Sequence, residues 1–543
     1  MAEKIVSPGV FTNEIDQSFL PAAIGDIGAA LVGPTVKGPI GIPTVISSYS
    51  EYQQLFGDTL LSGSNEYTYL TSITAREYLK HGNKLTVVRI LDGTADGASA
   101  EVKNSDASHT AFTLKTIGSG VTMNNSHSAA ATENGVLVSG SADNVRWEVS
   151  SVNESKGTFT LLIRRGNDRH SQKVALETWN DLSLDANAPN YILKKIGNQY
   201  ASFAGSVSDP YIQYEGDYPQ KSKYVYVSQV SGEFTNYLDE NSNVKGDGSV
   251  SASLPAEGSG STTDGAFSGG SVGYGGFDSL GNAQENFTGS KVEFFGDVGA
   301  NNSQGFKLAG AGNADGSDAY LKALGLLANA DEYDINLLMI PGIIDDAGSG
   351  HTAIVSKAID ICEKRGDCFL VYDTVKKSET AIANVTAKAK SRDTNYAATY
   401  WPWVQTTDVQ TGAMRWVPPS VVLPGIFAFN DKVAAPWFAP AGLNRGGLTT
   451  VIQAARKLTH ANRDDLYEAN VNPLATFPGQ GVVVWGQKTL QGKPSALDRV
   501  NVRRLLIKLK KFIASSTKFL VFEQNTAATR NRFLNIVNPF LEQ

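Results

Sequence analysis

Cysteine is nearly missing from this chain of 543 residues: Cys362 and Cys368 are the only two. Two thiols six positions apart exclude a disulfide framework. The six histidines, at positions 81, 109, 127, 170, 351 and 460, are scattered singly and supply no partner at metal-ligand spacing. Both thiols are therefore expected to be buried and reduced, and no structural metal is expected. Long apolar runs are missing too. No stretch of about 18 apolar residues is present to span a bilayer, and MAEKIVSPGV is too polar for a secretory signal. Synthesis in a cytoplasm and no membrane partner are the expectations. Positive charge is not in excess: 47 Lys and Arg against 54 Asp and Glu leave a net charge of −7, which argues against a general nucleic-acid coat.

What is present is an ordinary globular composition, 41% hydrophobic and 19% charged, on a chain too long for one core. Glycine is abundant at 53 residues and clusters with Ser and Asn in the middle third. Residues 1–22 read as an extended arm: Pro8-Gly9 breaks any helix, and an unpaired terminal strand either frays or pairs with another chain. From Gly28 the pattern becomes compact, with strands at 29–32, 43–46 and 84–90 and helices at 49–56 and 72–81. Residues 96–305 read as an inserted β-rich part: a hairpin in which Phe159, Leu161 and Ile163 turn at 166–168 to meet Val174 and Leu176, and strands at 224–230 and 292–295. Residues 246–282 within it are Gly/Ser-rich with few large apolar side chains and are expected to be mobile or to sit as a surface excursion.

From about Gly316 the pattern turns to α/β. A helix at 317–329, a strand at 335–340, a helix at 352–364 and a strand at 369–372 describe a right-handed crossover in a parallel sheet. Apolar runs at 424–429 and 481–485 are candidate further strands of that sheet. The predicted class is α+β multidomain, an α/β core formed by both chain ends (23–95 and 306–543) around the β-rich insertion.

Motifs that suggest catalysis fail on context. Gly481 to Thr489 nearly spells a phosphate-binding loop, but Gln487 displaces the Lys and VVVW is a strand where a flexible loop is required. Gly269 to Gly273 matches G-x-S-x-G inside low-complexity sequence rather than at a strand-to-helix turn. Gly310 to Gly316 lacks the preceding strand of a dinucleotide site. Asp345-Asp346 stands at the carboxyl end of a strand and reads as an exposed acidic loop. Nothing assembles a nucleophile, base and orienter, and no cofactor is expected. One charged element survives: the helix at 501–514 is expected to bury Val502, Leu505, Leu506, Leu509 and Phe512 and to present Arg503, Arg504, Lys508, Lys510 and Lys511 elsewhere, either as a solvated face or as a cationic patch meeting acidic surface on a neighbouring copy.

Three stretches occur in order near the end: PWFAPAGLNRGGL (436–448), NVNPLATFPGQGVVVWGQKTL (470–490) and DRVNVRRLLIKLKKFI (498–513). Together they resemble the signature block of contractile tail sheath proteins. SPGVFTNEI (7–15), the opening at 28–57, HGNKLTVVRIL (81–91), LAGAGNADG (308–316), DINLLMIPG (334–342), ICEKRGDCFLVYD (361–373) and RWVPPSVVLPGIFAFND (415–431) also have counterparts. The resemblance implies a non-enzymatic phage structural subunit, stacked helically around an inner tail tube and shortening to drive it through a cell envelope. It implies other sheath subunits, the inner tube protein, and baseplate and tail terminator proteins as partners, the virion as location and the host cytoplasm as place of assembly. It also implies strand donation to a neighbour's sheet by the N-terminal arm, here Ile5, Val6, Val10, Phe11, Thr12 and Ile15. The family pattern continues past TRNRFLNIVNPFLEQ into further strands and an arm, so those are expected to be missing here. The alternatives from sequence are a sheath subunit of an R-type bacteriocin or related device, and an α/β enzyme binding a ligand at the 335–372 crossover.

Overall fold

The structure is a computed structural model and describes residues 28–62, 65–90, 96–125, 140–169, 171–231, 237–241, 243, 254–260, 263–271, 298–300, 302–304, 306–308 and 316–542. The core elements are, in order, β1 (Gly28–Gly33), β2 (Thr44–Ile46), α1 (Tyr49–Phe56), α2 (Leu70–Leu79) and β3 (Leu85–Arg89). After the insertion come α3 (Gly316–Leu327), β4 (Ile335–Ile344), α4 (Ser349–Arg365), β5 (Phe369–Asp373), α5 (Ile382–Lys390), β6 (Ala397–Trp401), α6 (Pro419–Val433), α7 (His460–Glu468), β7 (Val471–Phe477), β8 (Gly481–Val484), α8 (Val500–Thr517) and α9 (Ala527–Leu541).

One eight-stranded sheet joins the two chain ends, in the order β2-β3-β1-β4-β5-β6-β7-β8. Strand β1 pairs in parallel with β3 on one side and with β4, some 300 residues later, on the other. The β4-α4-β5 crossover is parallel, as the sequence spacing requires. Only the edge strands β2 and β8 run antiparallel. The central strands are apolar on both faces because helices cover both. Ala30 and Val32 of β1 face a cluster built with α3, α4, α5 and α7, whereas Ala29 and Leu31 face one built with α1, α2, α6 and α8. Both ends of the chain thus close one α/β core, in agreement with the predicted class.

Local chemistry fixes the element boundaries. Ser48 caps α1 by accepting from the Glu51 amide at 3.3 Å. The run at 424–429, expected as a strand, is instead the middle of α6. An apolar stretch buried all round carries no periodicity that separates strand from helix, and here Pro418 and Pro419 start a helix of 15 residues. At Gly425 a Cβ would sit 2.9 Å from the Glu77 carbonyl oxygen, so the missing side chain lets α6 lie against α2.

The β-rich insertion has its own core. Strands Gly97–Lys103, Thr110–Ser119 and Val225–Val230 form one antiparallel sheet, and Val145–Asn153, Thr158–Arg165 and Ala175–Ser183 another, in the expected hairpin register. Phe112 stacks on Phe159 between them at 5.6 Å. The Gly/Ser-rich segment corrects an expectation, because its described parts are not a surface excursion. Phe267 and Leu254 are buried, Phe267 within this core. Ser268 exchanges both backbone hydrogen bonds with Ser99, at 2.7 and 2.9 Å, and Gly258 does the same with Val149. A few apolar anchors joined to open strand edges are enough to seat a glycine-rich chain. The expected strand at 292–295 lies outside the described residues.

Arg89 and Lys37 fasten the insertion to the core. Arg89, fully buried, donates to the carbonyls of Gly38 (2.7 Å) and Ser119 (2.6 Å). Lys37 donates to the Asp143 carbonyl at 2.6 Å and lies 3.2 Å from its carboxylate.

Candidate assembly surface

The three signature stretches meet at the β8 edge and on the α6/α8 face of the sheet. Residues 442–448 run beside β8: the Gly442 amide donates to the Val484 carbonyl (2.9 Å), Val484 to Gly446 (2.8 Å) and Leu448 to Val482 (3.0 Å). This loop therefore occupies the hydrogen-bonding edge that β8 would leave open. Gly442 holds φ +84°, and Gly446 donates back to it at 2.7 Å, closing the tight turn. Arg445 lies over the Phe438 ring at 5.2 Å and donates to the Ala439 carbonyl. The far edge, β2, is three residues long with Val45 exposed.

Helix α8 reverses the expected orientation. Its buried residues are Val500, Arg503, Arg504, Ile507, Lys511 and Ser516, while Val502, Leu505, Leu506, Leu509 and Phe512 are only half-buried. Aromatic faces and polar partners make this face suitable for cations. Arg503 lies over the Tyr396 ring at 4.1 Å and donates to the Asn395 side chain at 2.6 Å. Arg504 lies over Phe427 at 4.9 Å and donates to Asp431 at 2.5 Å. Lys511 donates to Asp334 (2.6 Å) and to the Ile335 carbonyl (2.5 Å), with Asp367 at 3.4 Å. Lys508 is half-buried over Trp437 at 4.7 Å, and burial lowers its pKa. Arg503, Arg504 and Lys511 therefore serve the fold within one chain and are not presented outward. The signal available in the sequence was the spacing of Val500, Arg503, Arg504, Ile507 and Lys511, an unbroken helical stripe.

Exposed apolar side chains gather toward the C-terminal end instead. Phe519, Val521, Phe522, Leu534 and Leu541 are exposed, as are Phe438 and Leu443 in the loop beside β8. Helix α9 meets α8 through Phe540, stacked on Phe512 at 3.7 Å, and Val537 is its buried residue. A cleft of about 720 Å³ opens between Phe540, Lys508, Arg504, Lys432 and His81. The arm residues Ile5, Val6, Val10, Phe11, Thr12 and Ile15 lie outside the described residues.

The motifs that suggested catalysis are absorbed by structure. Lys488 turns inward to the Tyr467 carbonyl at 2.9 Å, behind a regular β8. The Ser271 hydroxyl accepts from the Asp96 amide at 3.1 Å. Asp345, expected to be exposed, is fully buried because Arg392 grips its carboxylate in a bidentate pair at 2.8 and 3.0 Å. Asp373 is buried against the start of α6, where the Ser420 amide and hydroxyl donate to it. Burial pushes its pKa up to about 7 and the Ser420 hydrogen bonds oppose the rise. The 310–315 loop lies outside the described residues. Among the described residues, no group of three or more His, Cys, Asp or Glu is placed to hold a metal, and no helix is long and apolar enough to cross a membrane.

Comparison with known proteins agrees with this layout. Residues 309–490, running from just before α3 to just past β8, match the phage tail sheath protein central domain family. The tail sheath protein of Vibrio phage KVP40 is 26% identical over 99% of this chain and 90% of its own length. The tail sheath protein of Enterobacteria phage T4 is 29% identical over 41% of this chain and 36% of its own length. Among solved structures, a sheath tail protein from Listeria innocua superposes with a TM-score of 0.53 at 11% identity, covering 96% of this chain and 85% of that one, a likeness of fold. Over residues 309–490 this chain matches the phage tail sheath central domain, and along nearly its whole length it is similar to a phage tail sheath protein.

Proposed function

We propose that this chain is the repeating subunit of a phage contractile tail sheath, polymerising helically around an inner tail tube and shortening to drive that tube through the host envelope. The observation that carries the reading is the near full-length similarity to a phage tail sheath protein, which takes in the insertion as well as the core. Its direct partners are further copies of itself, the inner tube protein, and the baseplate and tail terminator proteins that bound the stack. Assembly takes place in the host cytoplasm, and the work comes from the free-energy difference between two packings of the same subunits, with no catalytic step.

Within this reading residues 1–22 form the donor arm, 23–95 and 306–543 the core, and 96–305 the part that faces away from the inner tube. Exposed apolar side chains such as Phe522 and Leu541 suit contact with another copy, since monomeric proteins rarely leave several large ones uncovered together. Lys508 and Lys510 take the outward electrostatic role, because Arg503, Arg504 and Lys511 are already partnered. Electron microscopy of the purified chain, alone and with its inner tube protein, tests the proposal. Regular tubes or rings support it, whereas a compact monomer that binds nucleotide supports the enzyme reading.

A further inference from the structure

The two cysteines lie apart from the assembly surface described above. Cys362 lies on the last turns of α4, and Cys368 immediately precedes β5. Both are fully buried, and their sulfurs lie 3.3 Å apart, with the Cys368 thiol directed at Cys362 Sγ. The turn between them is fixed. Gly366 ends the helix in the left-handed region at φ +68°, donating to the Cys362 carbonyl at 2.9 Å. Arg365 grips Asp367 at 2.8 and 3.0 Å and donates to the Tyr333 carbonyl at 2.7 Å, and Lys511 lies 3.4 Å from the same Asp367. Closing a bond of about 2.0 Å between the sulfurs requires them to approach by little more than about 1 Å.

We propose that Cys362 and Cys368 are an oxidative modification site: a dithiol that closes to an intrachain disulfide when the protein leaves a reducing compartment for one containing a small peroxide. Burial raises the Cys362 thiol well above its ordinary pKa, and full burial of both sulfurs keeps bulky disulfides from the pair. Hydrogen peroxide is small enough to reach it. One sulfur attacks a peroxide oxygen, the O–O bond breaks, and hydroxide leaves with the thiol proton as water, giving a sulfenic acid. The second sulfur attacks the first, the S–O bond breaks, and a second water leaves as the S–S bond forms. Two thiols and one peroxide become one cystine and two waters, with two electrons passing from sulfur to oxygen. The product ties the end of α4 to the start of β5 in the centre of the sheet.

The test uses the full chain, purified in reductant, exchanged into buffer and treated with hydrogen peroxide. Intact mass, alkylation in denaturant and peptide mapping are followed, with Cys362→Ala treated alongside. The expected result is a loss of about 2 Da, disappearance of both alkylatable thiols, one peptide linking Cys362 to Cys368, and full reversal by dithiothreitol. The melting temperature of the wild-type chain should rise on oxidation, and that of the variant should not. Two thiols left unchanged, a gain of about 32 Da per sulfur, or cross-linking between chains would each overturn the proposal. Because the decisive readout is the wild-type mass and peptide map, a variant that folds poorly does not weaken the test.

Discussion

Replacing Lys511 by methionine is expected to destabilise the monomer markedly, although it sits in a run of basic residues that reads as surface. Methionine keeps the length and the apolar stem of the side chain and removes only the ammonium group. That group donates to the Asp334 carboxylate at 2.6 Å and to the Ile335 carbonyl at 2.5 Å, fastening α8 to the first residue of β4. Lys511 is buried, but the Asp334 side chain is 51% exposed and regains water when its partner goes. Asp367 keeps Arg365 at 2.8 Å. The cost is therefore below the full penalty of breaking a buried pair and close to that of two charge-assisted hydrogen bonds with partial resolvation, about 2–3 kcal/mol. Lys510 is exposed and donates to the Tyr396 hydroxyl at 3.4 Å, a long contact, so Lys510→Met should stay within about 0.5 kcal/mol of the wild type. Urea titrations of the three proteins measure the difference directly. Equal stability for the two variants would refute the inward placement of this helix face.

Further outcomes follow from other buried groups. The raised pKa of Asp373 means that the folded chain holds a proton the unfolded chain releases, so this group's stabilising share is full below about pH 4 and is lost as pH climbs to about 7; Asp373→Asn should gain on the wild type by up to about 4 kcal/mol across that window, and a pH-independent difference in urea midpoint would contradict it. Phe267→Ala should cost about 3–5 kcal/mol in the stability of the insertion, measured by hydrogen exchange at the strands Thr110–Ser119 and Val145–Asn153, where unchanged protection would show that the glycine-rich segment is dispensable. Gly425→Leu should disrupt the α2–α6 contact and lower soluble yield, whereas Gly479→Leu, with nothing near its Cβ, should keep the fold and pay only for its φ of +75°.

Much of the core was legible because its elements are locally consistent. Ser48 and Gly57 bracket α1, alternating burial is not needed for strands covered on both faces, and the spacing from β4 through α4 to β5 admits one hand of crossover. The errors share a cause: tertiary partners decided what local pattern could not. The apolar run at 424–429 is helical because the space between α2 and the sheet takes a helix. Arg503 and Arg504 turn inward because Tyr396, Phe427 and Asp431, all distant in sequence, wait beneath them. Glycine-rich residues 254–271 fold where described because Ser99 and Val149 offer them open strand edges. Asp345 is buried because Arg392, almost fifty positions on, arrives beside it.

The most direct test of the central claim is cryo-electron microscopy of the assembled polymer before and after it is triggered to shorten. The account predicts two helical lattices built from one subunit fold, with Arg504–Asp431 and Lys511–Asp334 intact in both and the exposed C-terminal apolar residues covered by a neighbouring copy in at least one. A chain that forms no regular polymer under any condition, or one whose polymer keeps a single fixed packing, would contradict it.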